Sequence, residues 1–461
     1  MSASLLKRQL RRRAFCSILH AVSLLTVLLL THASVAADAS WTGGTGTQLW
    51  STGTNWSPTT APGATSGTTN ADTATFNTAV GATTITIDTG RNLRNLTFTT
   101  GAGSTFTIGS AGANAGETLL LTNGGTTAMN AGNTATVTLN APMVIEPTTA
   151  TGTASYTFTN NSTNNTGDLN PYKMTFNGNI SGGATTGLIT LNFTGSTGNR
   201  SGDTTGNLMN GIISNGLSGG LSVIVTGNGQ TGVWQFTNSG SSYTGGTTVT
   251  SGTLIFNSIA NAGQNSSIGA GSTLTLGSGT FVKYAGGAAA TDRTITGTGA
   301  FYNIGSGALT LTGSVNAGIT YRGGANFIIN GLITGGGGMS RTDGGTVFLN
   351  NNNNSFTGNF SISDGAFQVT SIFNNGTNSA AGNTGNLGLG QASNTVGRFE
   401  YTGVTTSTDR LIVMQNSNTV LGGTGLGTID VKTAGQTLVF TNGVRLSTTS
   451  ATTAATNFSS L

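Results

Sequence analysis

From about residue 40 onward, apolar side chains alternate with threonine or serine in runs of four to six residues, as in Leu254 and Phe256, Leu274 and Leu276, Leu309 and Leu311, and Leu438 and Phe440. Alternation at period two buries one face of a strand and leaves the other in water. The runs are separated, at intervals of about 10 to 25 residues, by glycine, asparagine and serine, which suit tight turns. An α-helix has no place to start after residue 40. The pattern predicts many short, half-buried strands.

The strands recur in larger units. Asn177-Gly178-Asn179-Ile180-Ser181-Gly182-Gly183 returns as Asn210-Gly211-Ile212-Ile213-Ser214-Asn215-Gly216 and as Asn330-Gly331-Leu332-Ile333-Thr334-Gly335-Gly336. Tyr243-Thr244-Gly245, Val249, Gly252, Leu254 and Phe256 match Phe356-Thr357-Gly358, Ile362, Gly365, Phe367 and Val369 at an offset of 113. Val282-Lys283-Tyr284 with Asp292-Arg293 matches Phe399-Glu400-Tyr401 with Asp409-Arg410 at an offset of 117. Register held over some fifty residues indicates a diverged duplication, at about 210–325 and 330–445.

Stacked short strands without charged linkers predict an all-β fold, a parallel β-helix or β-solenoid. With coils of ~20 residues, about 21 coils would make a rod of roughly 100 Å. Asparagine and threonine would form ladders from coil to coil. Tandem β-sandwiches are the alternative architecture.

Composition narrows this further. Only 7% of the 461 residues are charged and only 5 are proline, while 74 are glycine. Ordinary domains are about 25% charged, and glycine with threonine disfavours helix interiors. The charges that exist are unevenly placed. Lys7, Arg8, Arg11, Arg12 and Arg13 precede an apolar stretch from Ala14 to about Leu30 and the small-residue run Ala33-Ser34-Val35-Ala36-Ala37. This is the layout of a signal peptide, cleaved after Ala36 or Ala37, with an uncleaved anchor as the alternative. Arg12-Arg13-Ala14-Phe15 also fits a twin-arginine signal, but the Leu-rich core favours the general secretory route.

Cleavage removes five of the 17 basic residues and none of the 13 acidic ones, leaving a net charge of −1. No basic patch for nucleic acid remains. Cys16, His20 and His32 leave too, so residues 38–461 contain neither thiol nor imidazole. That excludes disulfides, Cys/His zinc sites, thiolate nucleophiles and Ser-His-Asp triads in this segment. No cofactor is implied.

The phrase from Asn238 to Leu254, with Tyr243, Thr244, Gly245, Gly246, Gly252 and Leu254 at its centre, resembles the autotransporter-associated β-strand repeat. A second copy keeps Phe356, Thr357, Gly358, Gly365 and Phe367 but has Asn359 for Gly246 and Ala366 for Thr253. The start, with Trp41, Trp50, Trp56, Asp72 to Phe76 and Asn95 to Phe98, is similar to that of large secreted proteins carrying this repeat. The motif covers about a quarter of the chain. The resemblance implies a right-handed parallel β-helical passenger at the surface of a Gram-negative bacterium, or in its medium, usually joined to a C-terminal outer-membrane barrel. The sequence ends Asn457-Phe458-Ser459-Ser460-Leu461 without a barrel-like series of strands. A separate or lost barrel, a freely secreted relative and a truncated reading frame are the expectations that follow.

The predicted organisation is a signal peptide at 1–37, an N-terminal β region at 38–150 with a tryptophan-rich start, and a β-solenoid at 151–461. Trp41, Trp50 and Trp56 are expected either to cap the end of the solenoid or to stack on sugars at its surface. Asp343 with Asp364, and Asp409 with Asp430, each 21 apart, would lie one coil apart and are the carboxylate pairs open to glycosidic chemistry; the plainer expectation is that they cap turns. Asp292-Arg293 and Asp409-Arg410 are expected in surface turns, each pair pointing to opposite faces. Gly335-Gly336-Gly337-Gly338 lacks the ending of a phosphate loop. The sequence therefore reads as a non-enzymatic exported scaffold or adhesive passenger with glycans or other envelope proteins as partners, and a polysaccharide-binding or polysaccharide-degrading β-helix as the alternative.

Overall fold

The computed structural model describes residues 37–448 except 79, 100–103, 113–115, 147, 149–150, 163–171, 184–185, 197–205, 229–230, 391–394 and 417–425. The predicted signal peptide lies outside the described residues up to and including Ala36. Ala37 is described, and its N–H donates to Asp72 Oδ1 at 2.7 Å.

The chain winds as a parallel β-solenoid with three walls. The first wall is a 16-stranded sheet whose path opens with Trp56–Ser57, Ala39–Trp41 and Thr73–Phe76 and closes with Ile333–Thr334. The second, also 16-stranded, runs from Gly46–Leu49 to Val444–Thr448. The third is at first a branch of the first sheet, through Met143–Ile145, Ile180–Gly182 and Ile213–Ser214. From Ala289–Thr291 to Leu426–Val431 it becomes a separate seven-stranded sheet. In the last coils Thr406–Thr408 and Leu438–Phe440 take the place of the first wall. The chain visits the walls in the order second, third, first: Ala300–Asn303, Leu309–Leu311 and Val315–Asn316 make one coil before Thr320–Arg322 opens the next.

Apart from Ala39–Trp41 against Trp56–Ser57, every pair of named strands is parallel. Both sheets pass residue 150 unbroken, since Thr157 pairs with Thr126 and Met174 with Val137. Tandem β-sandwiches, built from antiparallel sheets, are thereby excluded. Coil length varies more than the sequence suggested. Phe281 pairs with Ala300, Ala300 with Thr320 and Thr320 with Ser340, the expected ~20 residues per coil. Gly46, however, pairs with Thr83, Val137 with Met174 and Ile412 with Val444. Among the described residues the second wall consequently has 16 rungs rather than about 21, and at ~4.8 Å per rung that part of the rod measures about 70 Å rather than 100 Å.

Alternation decides what each wall buries. Ala154–Asn160 places Ala154, Tyr156, Phe158 and Asn160 inward and Ser155, Thr157 and Thr159 outward. Inside, like residues stack on the rung above: Phe76 on Phe98 at 4.8 Å between ring centroids and Phe158 on Phe193 at 5.2 Å. Outside, hydroxyls pair in the same way, Thr159 with Thr194 at 2.8 Å and Thr226 with Thr250 at 2.7 Å. The recurring Asn-Gly turns form an asparagine ladder. Asn177 Nδ2 donates to Asn140 Oδ1 at 2.9 Å, Asn210 Nδ2 to Asn177 Oδ1 at 3.0 Å, and Thr237 Oγ1 to Asn210 Oδ1 at 2.8 Å. Glycine must follow Asn177 and Asn210: a Cβ on Gly178 would lie 2.2 Å from the Ala141 carbonyl oxygen, and one on Gly211 2.1 Å from the Gly178 carbonyl oxygen, in the coil below.

Phe193 also packs edge-on against Trp234 and Phe236. Phe193→Ala should therefore cost about 3–5 kcal/mol, whereas Thr194→Ala on the same strand should cost about 1 kcal/mol or less. Denaturant unfolding followed by circular dichroism measures both; equal losses would contradict the assignment of inner and outer faces.

Candidate functional site

Two loops leave the solenoid at its corners, residues 258–270 after the strand Thr253–Phe256 and residues 371–383 after Gly365–Val369. The 113-residue offset runs through both: Ser258-Ile259, Asn261, Gly263 and Asn265-Ser266 correspond to Ser371-Ile372, Asn374, Gly376 and Asn378-Ser379. Their internal hydrogen bonds correspond too. Gly263 N–H donates to Ala270 O at 2.8 Å and Gly376 N–H to Asn383 O at 2.9 Å; Gln264 N–H donates to Asn261 O at 3.0 Å and Thr377 N–H to Asn374 O at 3.1 Å. Ser266 Oγ closes on Gly269 O at 2.8 Å, as Ser379 Oγ does on Gly382 O at 2.9 Å.

The aromatic residue of the repeat phrase is the floor of each loop. Tyr243 and Phe356 are buried, and a Cβ on Gly269 or Gly382 would come within 2.7 Å or 2.8 Å of the ring beneath. Both glycines also have positive φ, 72° and 80°, so the sequence needs glycine there twice over. Tyr243 Oη pairs with Thr247 Oγ1 at 2.7 Å, and burial raises its pKa, an effect that Thr247 and Arg293 only partly oppose.

An arginine from the next coil holds each loop. Arg293 Nε donates to Ala260 O at 2.8 Å, Nη1 to Ile268 O at 3.2 Å and Nη2 to Gly269 O at 2.7 Å. Arg410 repeats the set on Phe373 O at 3.1 Å, Ala381 O at 2.6 Å and Gly382 O at 2.7 Å. Both side chains are fully buried, and neither forms an ion pair among the described residues. The planar fork of guanidinium suits three carbonyls at fixed angles, a task a lysine ammonium cannot do. Burial pulls the Arg410 guanidinium down to about 10, with Asp409 opposing, so it stays charged at neutral pH. Arg293 is lowered by the same cause, against Tyr243 and Asp292.

The preceding aspartates face the other way. Asp292 Oδ1 accepts Ala262 N–H at 2.7 Å while its own N–H donates to Asn261 Oδ1 at 3.0 Å. Asp409 Oδ1 accepts Asn375 N–H at 2.7 Å and Asp409 N–H donates to Asn374 Oδ1 at 2.9 Å. The expectation of opposite faces holds, but that of a surface turn holds for the aspartates alone: the carbonyl-rich loop draws the arginines inside. The sequence signal for this was the same offset, which extends through the loops.

The frame is shared and the exposed residues are not. Ala260, Ala262 and Gln264 in the first loop stand where Phe373, Asn375 and Thr377 stand in the second. Beside the first loop, Ile259, Asn261, Gln264, Asn265, Ala289 and Ala290 line an open groove of about 650 Å³. In the second loop Phe373 is 39% exposed.

Other residues singled out from the sequence lie elsewhere. Trp41, Trp50 and Trp56 are buried, not superficial. Their rings pack on one another and on Phe76, with Trp50 to Trp56 at 4.8 Å and Trp56 to Phe76 at 5.7 Å. Trp50 Nε1 donates to Pro62 O and Trp56 Nε1 to Trp50 O. Apolar area of that size is driven inward at the first coil, which leaves no ring face for a sugar. Asp409 and Asp430 do not stack: the coil is longer there, and Asp430 pairs in register with Glu400, Lys432 bridging the two carboxylates at 2.7 and 3.3 Å. Asp343 and Asp364 both lie near Arg341. Burial pushes the Asp343 carboxyl up, but Arg322 and the Gly323 N–H outweigh it and hold it below its ordinary value. Asp364 Oδ1 accepts Gly365 N–H at 2.8 Å. Within the repeat phrase, Asn215 Oδ1 accepts Thr244 N–H, Gly245 N–H donates to Leu221 O, and Gly252 turns at a φ of 83° before the buried Leu254. The Gly246 carbonyl accepts Val223 N–H. In the second copy Thr357 N–H donates to Gly335 O, the Gly358 carbonyl packs against Gly385, Gly365 turns at a φ of 72° and Phe367 is buried.

Arg410→Met removes three charged donors, leaving the Phe373 carbonyl with only Thr408 Oγ1, the Gly382 carbonyl with only Ser379 Oγ and the Ala381 carbonyl without this partner, and should release the second loop, with a loss on the order of 1–3 kcal/mol. Arg410→Lys keeps the charge but not the fork and should lose nearly as much. Limited proteolysis is the measure: cleavage should appear within 372–378 while the first loop stays resistant, and unchanged resistance would contradict the clamp.

No family model matches the chain, and no solved structure matches it. Among curated proteins the chain is similar to "Adhesin BmaC autotransporter" of Brucella suis biovar 1 (strain 1330), with 31% identity over 265 residues. That match takes in 51% of this chain and 7% of the relative's length. Half of the chain is thus similar in sequence to a small part of an autotransporter adhesin.

Proposed function

We propose that the chain is a non-enzymatic, exported β-solenoid passenger that carries interaction loops at the surface of a Gram-negative cell and acts in adhesion. The observation that carries this reading is the 31% identity to an autotransporter adhesin over 265 residues. The fold supports it. A stiff rod holds its loops away from the membrane, and a neutral surface of threonine, serine and asparagine suits weak, multivalent contact. Residues 38–461 lack Cys and His, and the carboxylates considered for glycosidic chemistry are engaged with arginine, lysine or backbone N–H groups. In this reading the buried tryptophans and the antiparallel strand Trp56–Ser57 serve as the N-terminal cap, which keeps the first rung from pairing with other chains.

Two experiments test the reading. Antibody against the solenoid should label intact, unpermeabilised cells, and deleting the gene should lower attachment of those cells to a surface several-fold. Absence of labelling together with unchanged attachment would overturn the proposal. Deletion of residues 38–60 should make the purified rod aggregate and lower its midpoint of unfolding; a soluble rod of equal stability would refute the cap.

A further inference from the structure

The two clamped loops do not lie on one side of the rod. The first copy of the repeat places Thr247–Ser251 on the first wall and Thr253–Phe256 on the second. The second copy places Phe360–Ile362 on the second wall and Gly365–Val369 on the third. The strand Phe281–Tyr284 of the second wall is likewise answered by Val396–Tyr401 of the third. Every element of the second copy has advanced by one wall. From Thr253–Phe256 the second wall adds Phe281–Tyr284, Ala300–Asn303, Thr320–Arg322, Met339–Arg341 and Phe360–Ile362 before the chain reaches Gly365–Val369. The loops are therefore five and a third coils apart, ~25 Å along the axis at ~4.8 Å per rung, and face directions about a third of a turn apart.

We propose that these loops are two separate binding sites for a neutral, hydroxyl-rich polysaccharide, so placed that one molecule bridges two polymer strands instead of gripping one. The lining of the first groove carries this choice of ligand. Gln264 and Asn265 offer amides that both donate and accept, as vicinal hydroxyls require, Asn261 adds an amide donor whose Oδ1 is held by the Asp292 N–H, and Ile259, Ala289 and Ala290 offer small apolar surface. No lysine, arginine or carboxylate lines it, and the carboxylate at the base of each loop is committed to a backbone N–H. A charged polymer would find no counter-charge. The groove has the size of a small-molecule site, enough for a few sugar rings. In the second loop the exposed ring of Phe373 supplies an apolar face on which a sugar stacks. Clamping by Arg293 and Arg410 fixes both loops before a ligand arrives, which lowers the ordering cost of binding.

The proposal rests on the reading of the chain as an interaction protein, but its test uses the purified full chain and is independent of surface display. Titration with a panel of soluble neutral polysaccharides, a β-glucan, a galactan and a mannan, with alginate as the anionic comparison, should show two sites per chain for at least one neutral polymer and none for alginate. The same polymer should rise in viscosity as protein is added. The variant Gln264→Ala/Asn265→Ala should retain one site and lose the rise in viscosity, and adding Phe373→Ala should abolish binding, with circular dichroism unchanged throughout because these three side chains lie on loop surfaces and the loop frame does not use them. Binding to none of the neutral polymers, stronger binding to alginate, a single site in the unmodified chain, or full binding by the threefold variant would each overturn the proposal. Unchanged attachment of cells lacking the gene with intact glycan binding, or the reverse, separates failure of the adhesion reading from failure of this one.

Discussion

The structure depends on a single constraint: each coil must return to its starting wall one hydrogen-bonded rung higher, in register. In a parallel ladder every strand lends its N–H and C=O groups to the rungs above and below, so the position of one coil sets that of the next. Inward residues then stack on inward residues, and outward threonines on outward threonines. Period-two alternation is sufficient to specify this, because a slip of one residue would send an entire wall's apolar set into water. The long coils between Gly46 and Val233 meet the same condition as the short ones between Phe281 and Phe360; surplus residues are put into corners, where no register has to be kept.

Corners are where the fold spends its polar chemistry. A loop that leaves the ladder strips carbonyls of their strand partners, and buried carbonyls require donors. Arg293 and Arg410 answer with three donors each from one side chain, at the cost of burying a cation without a carboxylate. The arrangement is tolerable because carbonyl dipoles converge on the guanidinium from several directions. It also explains why the loops can vary at Ala260/Phe373 and Gln264/Thr377 without losing shape: every bond common to the two frames is made by backbone or by a side chain that both copies keep.

Much of this was legible in the sequence. Alternation gave the strands, the turn residues their ends, and the 113-residue offset the duplication. What escaped was everything that depends on coil length. A uniform coil of ~20 residues placed Asp430 beside Asp409, whereas the coil that actually separates Glu400 from Asp430 put a different carboxylate there. The burial of Arg293 and Arg410 escaped because a charged residue after a strand normally reads as solvent-exposed, and only the loop's converging carbonyls reverse that preference. The tryptophans escaped for a related reason: their position near the start of the segment said where they stand along the rod, not which way they face.

The duplication that advances by five and a third coils has a meaning for how such rods change. If the coil were the unit of inheritance, a copied segment that was not a whole number of coils would arrive out of phase and fail. Here the copy was accepted on the adjacent wall with its hydrogen bonds intact, so the interchangeable unit is the wall, one strand and one corner. An insertion need only supply a whole number of thirds, and each third added turns everything beyond it to a new compass bearing. Such a rod lengthens in small steps and, in doing so, distributes copied loops around its circumference without any selection for direction.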